Sequence, residues 1–110
     1  MKRGKMRVCF LLKVRENMLE EYKRRHAAVW PEMLDALRRT GWKNYSLFMR
    51  KDGLMVGYLE CENFKKCCDD MQLEPINAVW QKEMTPFFES LSGAAADESM
   101  IPLAEVFHLD

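Results

Sequence analysis

The chain has 110 residues, of which 48% are hydrophobic, with only five glycines and four prolines, a make-up that fits one folded domain over residues 1–110 and excludes a second. Seventeen Lys plus Arg balance seventeen Asp plus Glu, so no net positive field is present to hold nucleic acid or an anionic membrane surface. No apolar run approaches a membrane span, and the basic start precedes only a short apolar stretch without a cleavage site, so a cytoplasmic protein is expected.

Met6 to Val14 is rich in β-branched, aromatic and aliphatic residues and reads as a central strand. At Asn17 the pattern changes. Asn17 followed by Glu20 predicts a capping box, and from there apolar residues recur at three- and four-residue steps through Tyr22, His26, Trp30, Met33 and Leu37, one face of a long helix. Pro31 lies inside this stretch, lacks an amide proton and clashes with the carbonyl four residues earlier, so it kinks the helix or opens a second one. Gly41 predicts a C-cap.

Residues 42–50 and 54–61 read as two strands, and Lys51-Asp52-Gly53 between them supplies the backbone freedom that a tight hairpin needs. Helical spacing resumes at Asn63, and Pro75 opens a further helix predicted to carry Ile76, Val79, Trp80 and Met84 on to Phe87 and Phe88. Residues 90–99, with three consecutive alanines, read as a loop before a last strand over 101–109. Strand, helix, strand, strand, helix, strand is the order of a ferredoxin-like α+β sandwich, a four-stranded antiparallel sheet with helices on one face. The hairpin strands carry apolar residues on both sides, so the second sheet face is expected to bury a ligand or a partner subunit, most simply a second copy of the chain.

The four cysteines, Cys9, Cys61, Cys67 and Cys68, make no CxxC pair and suit thiols in a reducing compartment better than a metal ring. Tyr22, His26 and Trp30 fall four residues apart on one helical face, where an imidazole can exchange protons with a hydroxyl beside a hydrogen-bonding phenol and an apolar indole wall. That set suits a polyol. Spacing alone nevertheless favours a hydrogen-bonded structural role for His26, and core packing for Tyr45, Tyr58 and Trp80, which could otherwise complete an aromatic pocket. His108 reads as a wall or interface residue. The basic runs around Lys23 and Arg38 lack the aromatic interleaving of an RNA platform, and no phosphate-cradling glycine motif or nucleophile elbow is present.

At Tyr22-Lys23-Arg24-Arg25-His26, followed by Val29-Trp30-Pro31-Glu32, the chain strongly resembles the L-rhamnose mutarotases, a family of small cytoplasmic sugar anomerases. Asn44-Tyr45-Ser46-Leu47-Phe48, the strand over 55–60, Val79-Trp80 and Ala104-Glu105-Val106-Phe107 extend the resemblance over most of the chain. It implies a dimeric ferredoxin-like fold, His26 as proton donor in anomer interconversion, and Tyr22, Tyr45 and Trp80 as sugar contacts. The family pairs a second tryptophan after Trp80, where this chain has Gln81, a substrate contact that trades an apolar wall for an amide. No metal, nucleotide or flavin is implied. The expected partners are a neutral monosaccharide and a second copy of the chain. Two other readings of these residues are a noncatalytic dimeric sugar-binding protein and a cofactor-independent monooxygenase on the same architecture.

Overall fold

The computed structural model describes residues 5–89 and 100–110. Strand β1 (Met6–Val14) leads through a 3₁₀ turn at Glu16–Met18 into α1 (Leu19–His26) and α2 (Pro31–Arg39), followed by the hairpin β2 (Lys43–Met49) and β3 (Leu54–Cys61). Helices α3 (Phe64–Gln72) and α4 (Pro75–Met84) come next, and a 3₁₀ turn at Thr85–Phe87 leads to the short β4 (Phe88–Glu89). The strands lie in the order β2-β3-β1-β4, with antiparallel pairing at each contact. This is the ferredoxin-like arrangement that the sequence leads one to expect.

Several local expectations are met by identifiable bonds. Pro31 occupies the first turn of α2, where a missing amide proton costs nothing, so the long amphipathic stretch becomes two helices. Gly41, at φ 91°, ends α2 in a Schellman motif: its N–H donates to the Arg38 carbonyl at 3.2 Å, and the Trp42 N–H to the Leu37 carbonyl at 3.0 Å. Asn63 caps α3 by accepting from the Lys66 N–H at 3.1 Å. At the hairpin, Gly53 adopts φ 95°, while Asp52 accepts from the Leu54 N–H at 3.1 Å and from the Arg50 guanidinium at 2.6 Å.

Three expectations are corrected. Asn17 does not cap a helix; it sits within the 3₁₀ turn, and α1 begins at Leu19 with Met18 at the cap position and no side-chain bond. The helix from Pro75 stops at Met84, because Pro86 has no N–H to continue the ladder, and the backbone reaches extended geometry at Phe88, which enters the sheet. The last strand over 101–109 is absent. Residues 101–110 carry neither helix nor strand and are exposed, and β4 fills the edge position instead. The expected loop over 90–99 lies outside the described residues.

Alternation along β1 and β3 sorts the sheet into two faces. Val8, Phe10, Leu12 and Val14 point toward the helices, as do Met55, Leu59 and Cys61, and all seven are buried. Phe10 pairs with Gly57 across the strands, and its ring lies where a Gly57 side chain would be: a Cβ there would sit 2.3 Å from the Phe10 Cζ. The glycine therefore lets Phe10 lie flat and meet both Phe64, at 6.3 Å between ring centroids, and Tyr45, at 6.4 Å. A backbone irregularity sets the direction of Tyr45. Lys43 pairs with Glu60 and Ser46 with Tyr58, so one extra residue is absorbed on β2, at Asn44 with φ 49°. This bulge puts Tyr45, Leu47 and Met49 on the helix-facing side and Ser46 and Phe48 on the other.

Candidate functional site

A cleft of about 360 Å³ opens between the helix-facing side of the sheet and helices α1, α2, α3 and α4, within the size range of small-molecule sites. Tyr22 and His26 enter it from α1, Tyr45 from the bulged β2, and Trp80 and Gln81 from α4. All five expected site residues therefore meet in one place. Tyr58 does not join them; strand parity puts it on the opposite sheet face, where its hydroxyl donates to Glu60 at 2.9 Å. Trp42 is missing from the expected set. It stands at the start of the strand expected over 42–50, and its indole lines the cleft with ring centroids 5.0 Å from Tyr45.

His26 is held on three sides. Its ring stacks on Tyr22 with centroids 4.0 Å apart and planes 24° from parallel, and it meets Trp80 edge-on at 5.5 Å. Trp30 in turn meets Trp80 at 5.0 Å and 85°, which fixes the indole from behind. The His26 Nδ1 lies 3.1 Å from the Tyr22 carbonyl oxygen, one helical turn back. A carbonyl only accepts, so Nδ1 carries the proton in the neutral ring and Nε2 keeps a free electron pair. Burial in this aromatic setting lowers the His26 pKa from its ordinary value, opposed in part by the bond to the Tyr22 carbonyl. The imidazole is therefore neutral at physiological pH, with Nε2 the nitrogen that can accept a proton.

The two tyrosines behave in the opposite sense. Burial raises the pKa of both phenols well above the ordinary value, so each keeps its proton and acts as a neutral hydrogen-bond partner. They are the two side-chain hydroxyls among the described residues lining the cleft. Arg25, adjacent to His26 in sequence, points away from the cleft, bonding Glu21 at 2.9 Å with its guanidinium 5.7 Å from the Phe87 ring centroid. Among the described residues no Lys, Arg, Asp or Glu lines the cleft, and no three His, Cys, Asp or Glu side chains gather as a metal site. No described helix is long and apolar enough to cross a membrane.

A ferredoxin-like domain whose cleft is lined, among the described residues, by uncharged and largely aromatic side chains around one histidine belongs to the class of small-molecule sites suited to a neutral ligand. Residues 7–109 match the family model of L-rhamnose mutarotase, and the chain belongs to that family. It is 36% identical over 104 residues to L-rhamnose mutarotase of Oceanobacillus iheyensis, covering 92% of this chain and 95% of that one. With the Bacillus subtilis L-rhamnose mutarotase it shares 37% identity over 98 residues, 88% of this chain and 91% of the relative. The fold also matches a crystal structure of L-rhamnose mutarotase from Formosa agariphila with a TM-score of 0.76 at 24% identity, over 96% of this chain and 99% of that chain.

Proposed function

We infer that this protein interconverts the α and β anomers of L-rhamnose, opening and reclosing the pyranose by proton transfer at His26. The observation that carries the chemistry is the His26 Nδ1 bond to the Tyr22 carbonyl at 3.1 Å, which leaves Nε2 as the base in a cleft lined by no charged side chain among the described residues. The anomeric hydroxyl oxygen and the ring oxygen share C1, so one nitrogen facing C1 reaches both. Nε2 takes the hydroxyl proton as C1=O forms, the C1–ring-oxygen bond breaks with its electron pair going to the ring oxygen, and the imidazolium delivers the proton there. Rotation about C1–C2 presents the other aldehyde face, and the reverse sequence closes the second anomer.

Tyr22 and Tyr45 are proposed to orient hydroxyls as neutral partners, Trp80 to offer an apolar wall to the C–H face of the ring, and Gln81 to contact the sugar through its amide. The role differs from the expected one in direction only: His26 acts first as base, and donates the proton it has just received. The site's neutrality suits a neutral sugar, since a lone buried charge would carry a desolvation penalty without a counter-charge in the ligand.

The working unit is proposed to be a cytoplasmic homodimer. Phe48 on the open sheet face is 64% exposed, and Val106 and Phe107 of the C-terminal segment are 93% and 79% exposed, large apolar side chains that a second copy would cover. That segment lies beside β1: the Leu103 N–H donates to the Cys9 carbonyl at 2.7 Å, Arg7 donates to Glu105 at 2.6 Å, and Arg7 also contacts His108. Polarimetry of freshly dissolved α-L-rhamnose tests the activity. The optical rotation should reach its equilibrium value faster with protein than without; an unchanged rate contradicts the reading.

A further inference from the structure

Helix α4 turns Asn77, Trp80, Gln81 and Met84 toward the cleft, positions i, i+3, i+4 and i+7 of one stripe. A stripe so placed on a buried helix face is ordinarily apolar throughout. Here two of its four positions are amides. Asn77 is 4% exposed and is the one buried polar residue among those described, and its side-chain oxygen accepts from the Gln81 Nε2 at 3.3 Å. That bond uses one N–H and one lone pair of a pair of groups that together own four N–H bonds and two carbonyl oxygens.

We propose that Asn77 and Gln81 act as one amide wall that reads a single hydroxyl of the bound sugar and so sets which pyranoses the cleft accepts. The proposal rests on the sugar-site reading above and adds the determinant of selectivity. The chemistry is directional. The bond between the two amides fixes the side chain of Gln81, which is the less buried of the pair, through Asn77, so its remaining donor and acceptor are presented at a set position along the wall. A sugar hydroxyl, both donor and acceptor, satisfies such an amide; a hydrogen at the same carbon leaves it without that partner when the sugar is bound. Aromatic and aliphatic walls discriminate weakly between sugars that differ by one hydroxyl, whereas a fixed amide discriminates strongly.

The test compares wild-type protein with Gln81→Met, which keeps length and removes the amide, and with Asn77→Leu, which removes its support. Binding is read by saturation-transfer NMR and turnover by anomer exchange, for L-rhamnose, its 2-, 3- and 4-deoxy analogues, and L-mannose, which adds a hydroxyl at C6. The ratio of wild-type to Gln81→Met affinity should be about tenfold for sugars that carry the read hydroxyl and near one for those that lack it. Asn77→Leu, where it folds, should show the same pattern. A ratio that is uniform across all five sugars overturns the proposal and leaves the amides a packing role. Wild-type protein that binds none of the five contradicts the sugar-site reading, and this proposal with it.

Discussion

The His26 imidazole meets Tyr22 twice within one helical turn: the two rings stack at 4.0 Å, and the His26 Nδ1 faces the Tyr22 backbone carbonyl at 3.1 Å. Spacing on α1 brings the two side chains together, and the backbone bond decides which nitrogen holds the proton. That tautomer, with the burial that keeps the ring neutral, leaves Nε2 available for the role of base proposed for it.

The pH dependence follows from the sign of the shift. Burial holds the His26 pKa below its ordinary value, so kcat/KM should rise on an acid limb with an apparent pKa below about 6.5 and then level off through neutrality. Between the lowered folded pKa and the ordinary value the unfolded chain binds more protons at this site than the folded one. The His26 contribution to folding stability is therefore complete above the ordinary pKa, diminishes as pH falls through that window, and is lost once pH is below the folded pKa. Rate profiles and urea midpoints across pH 4.5 to 8 check both; an acid limb above 6.5 contradicts the assignment.

Gly57→Ala should destabilise the fold. The added methyl meets the Phe10 ring at 2.3 Å, and Phe10 is fully buried between Phe64 and Tyr45 with little freedom to withdraw. Overpacking of this kind costs about 1–3 kcal/mol, and thermal denaturation should show a midpoint lower by several degrees. An unchanged midpoint would mean that Phe10 repacks without strain.

Asn44 is tested by a matched pair of variants. Asn44→Val places a β-branched residue at φ 49° and should cost about 1–2 kcal/mol, while Asn44→Gly, free at positive φ, should cost less. Because the bulge aims Tyr45 into the cleft, Asn44→Val should also raise KM. Equal stability of the two variants contradicts a role for the backbone conformation.

Much of this architecture is legible in the sequence because it rests on local chemistry. Pro31 at the start of α2, Gly41 after its end and Asp52-Gly53 in the hairpin act through their own backbones, and Tyr22 and His26 share a face of α1 through helical period alone, whereas α1 ends at His26 and Trp30, expected on the same face, meets Trp80 from the N-cap position of α2. Features that depend on partners far along the chain are less visible. The bulge at Asn44 has no periodic signature, yet it decides the direction of Tyr45; Trp42 joins the cleft only through its packing beside Tyr45 in the folded chain. Asn77 follows Pro75 by two residues without any motif, and its meaning comes from burial and from Gln81 one turn on. The apolar pattern over 101–109 does look like a strand. In one chain that segment forms one backbone bond to the β1 edge, from Leu103 to Cys9, and otherwise leaves its apolar residues exposed.

Association should follow from that exposed surface. Sedimentation equilibrium is expected to give twice the 13.0 kDa chain mass. Arg7→Ala, which removes the contacts to Glu105 and His108, should weaken the dimer without unfolding the chain. A monomer at all concentrations contradicts the proposed dimer.

The central claim is tested most directly by two-dimensional NMR exchange at equilibrium between α- and β-L-rhamnose, with wild-type protein, with His26→Ala and with no protein. Wild type should accelerate interconversion, and folded His26→Ala should lose about 10²- to 10⁴-fold of that rate. Exchange in the presence of folded His26→Ala at the wild-type rate would contradict the assignment of His26 as the proton-transferring group.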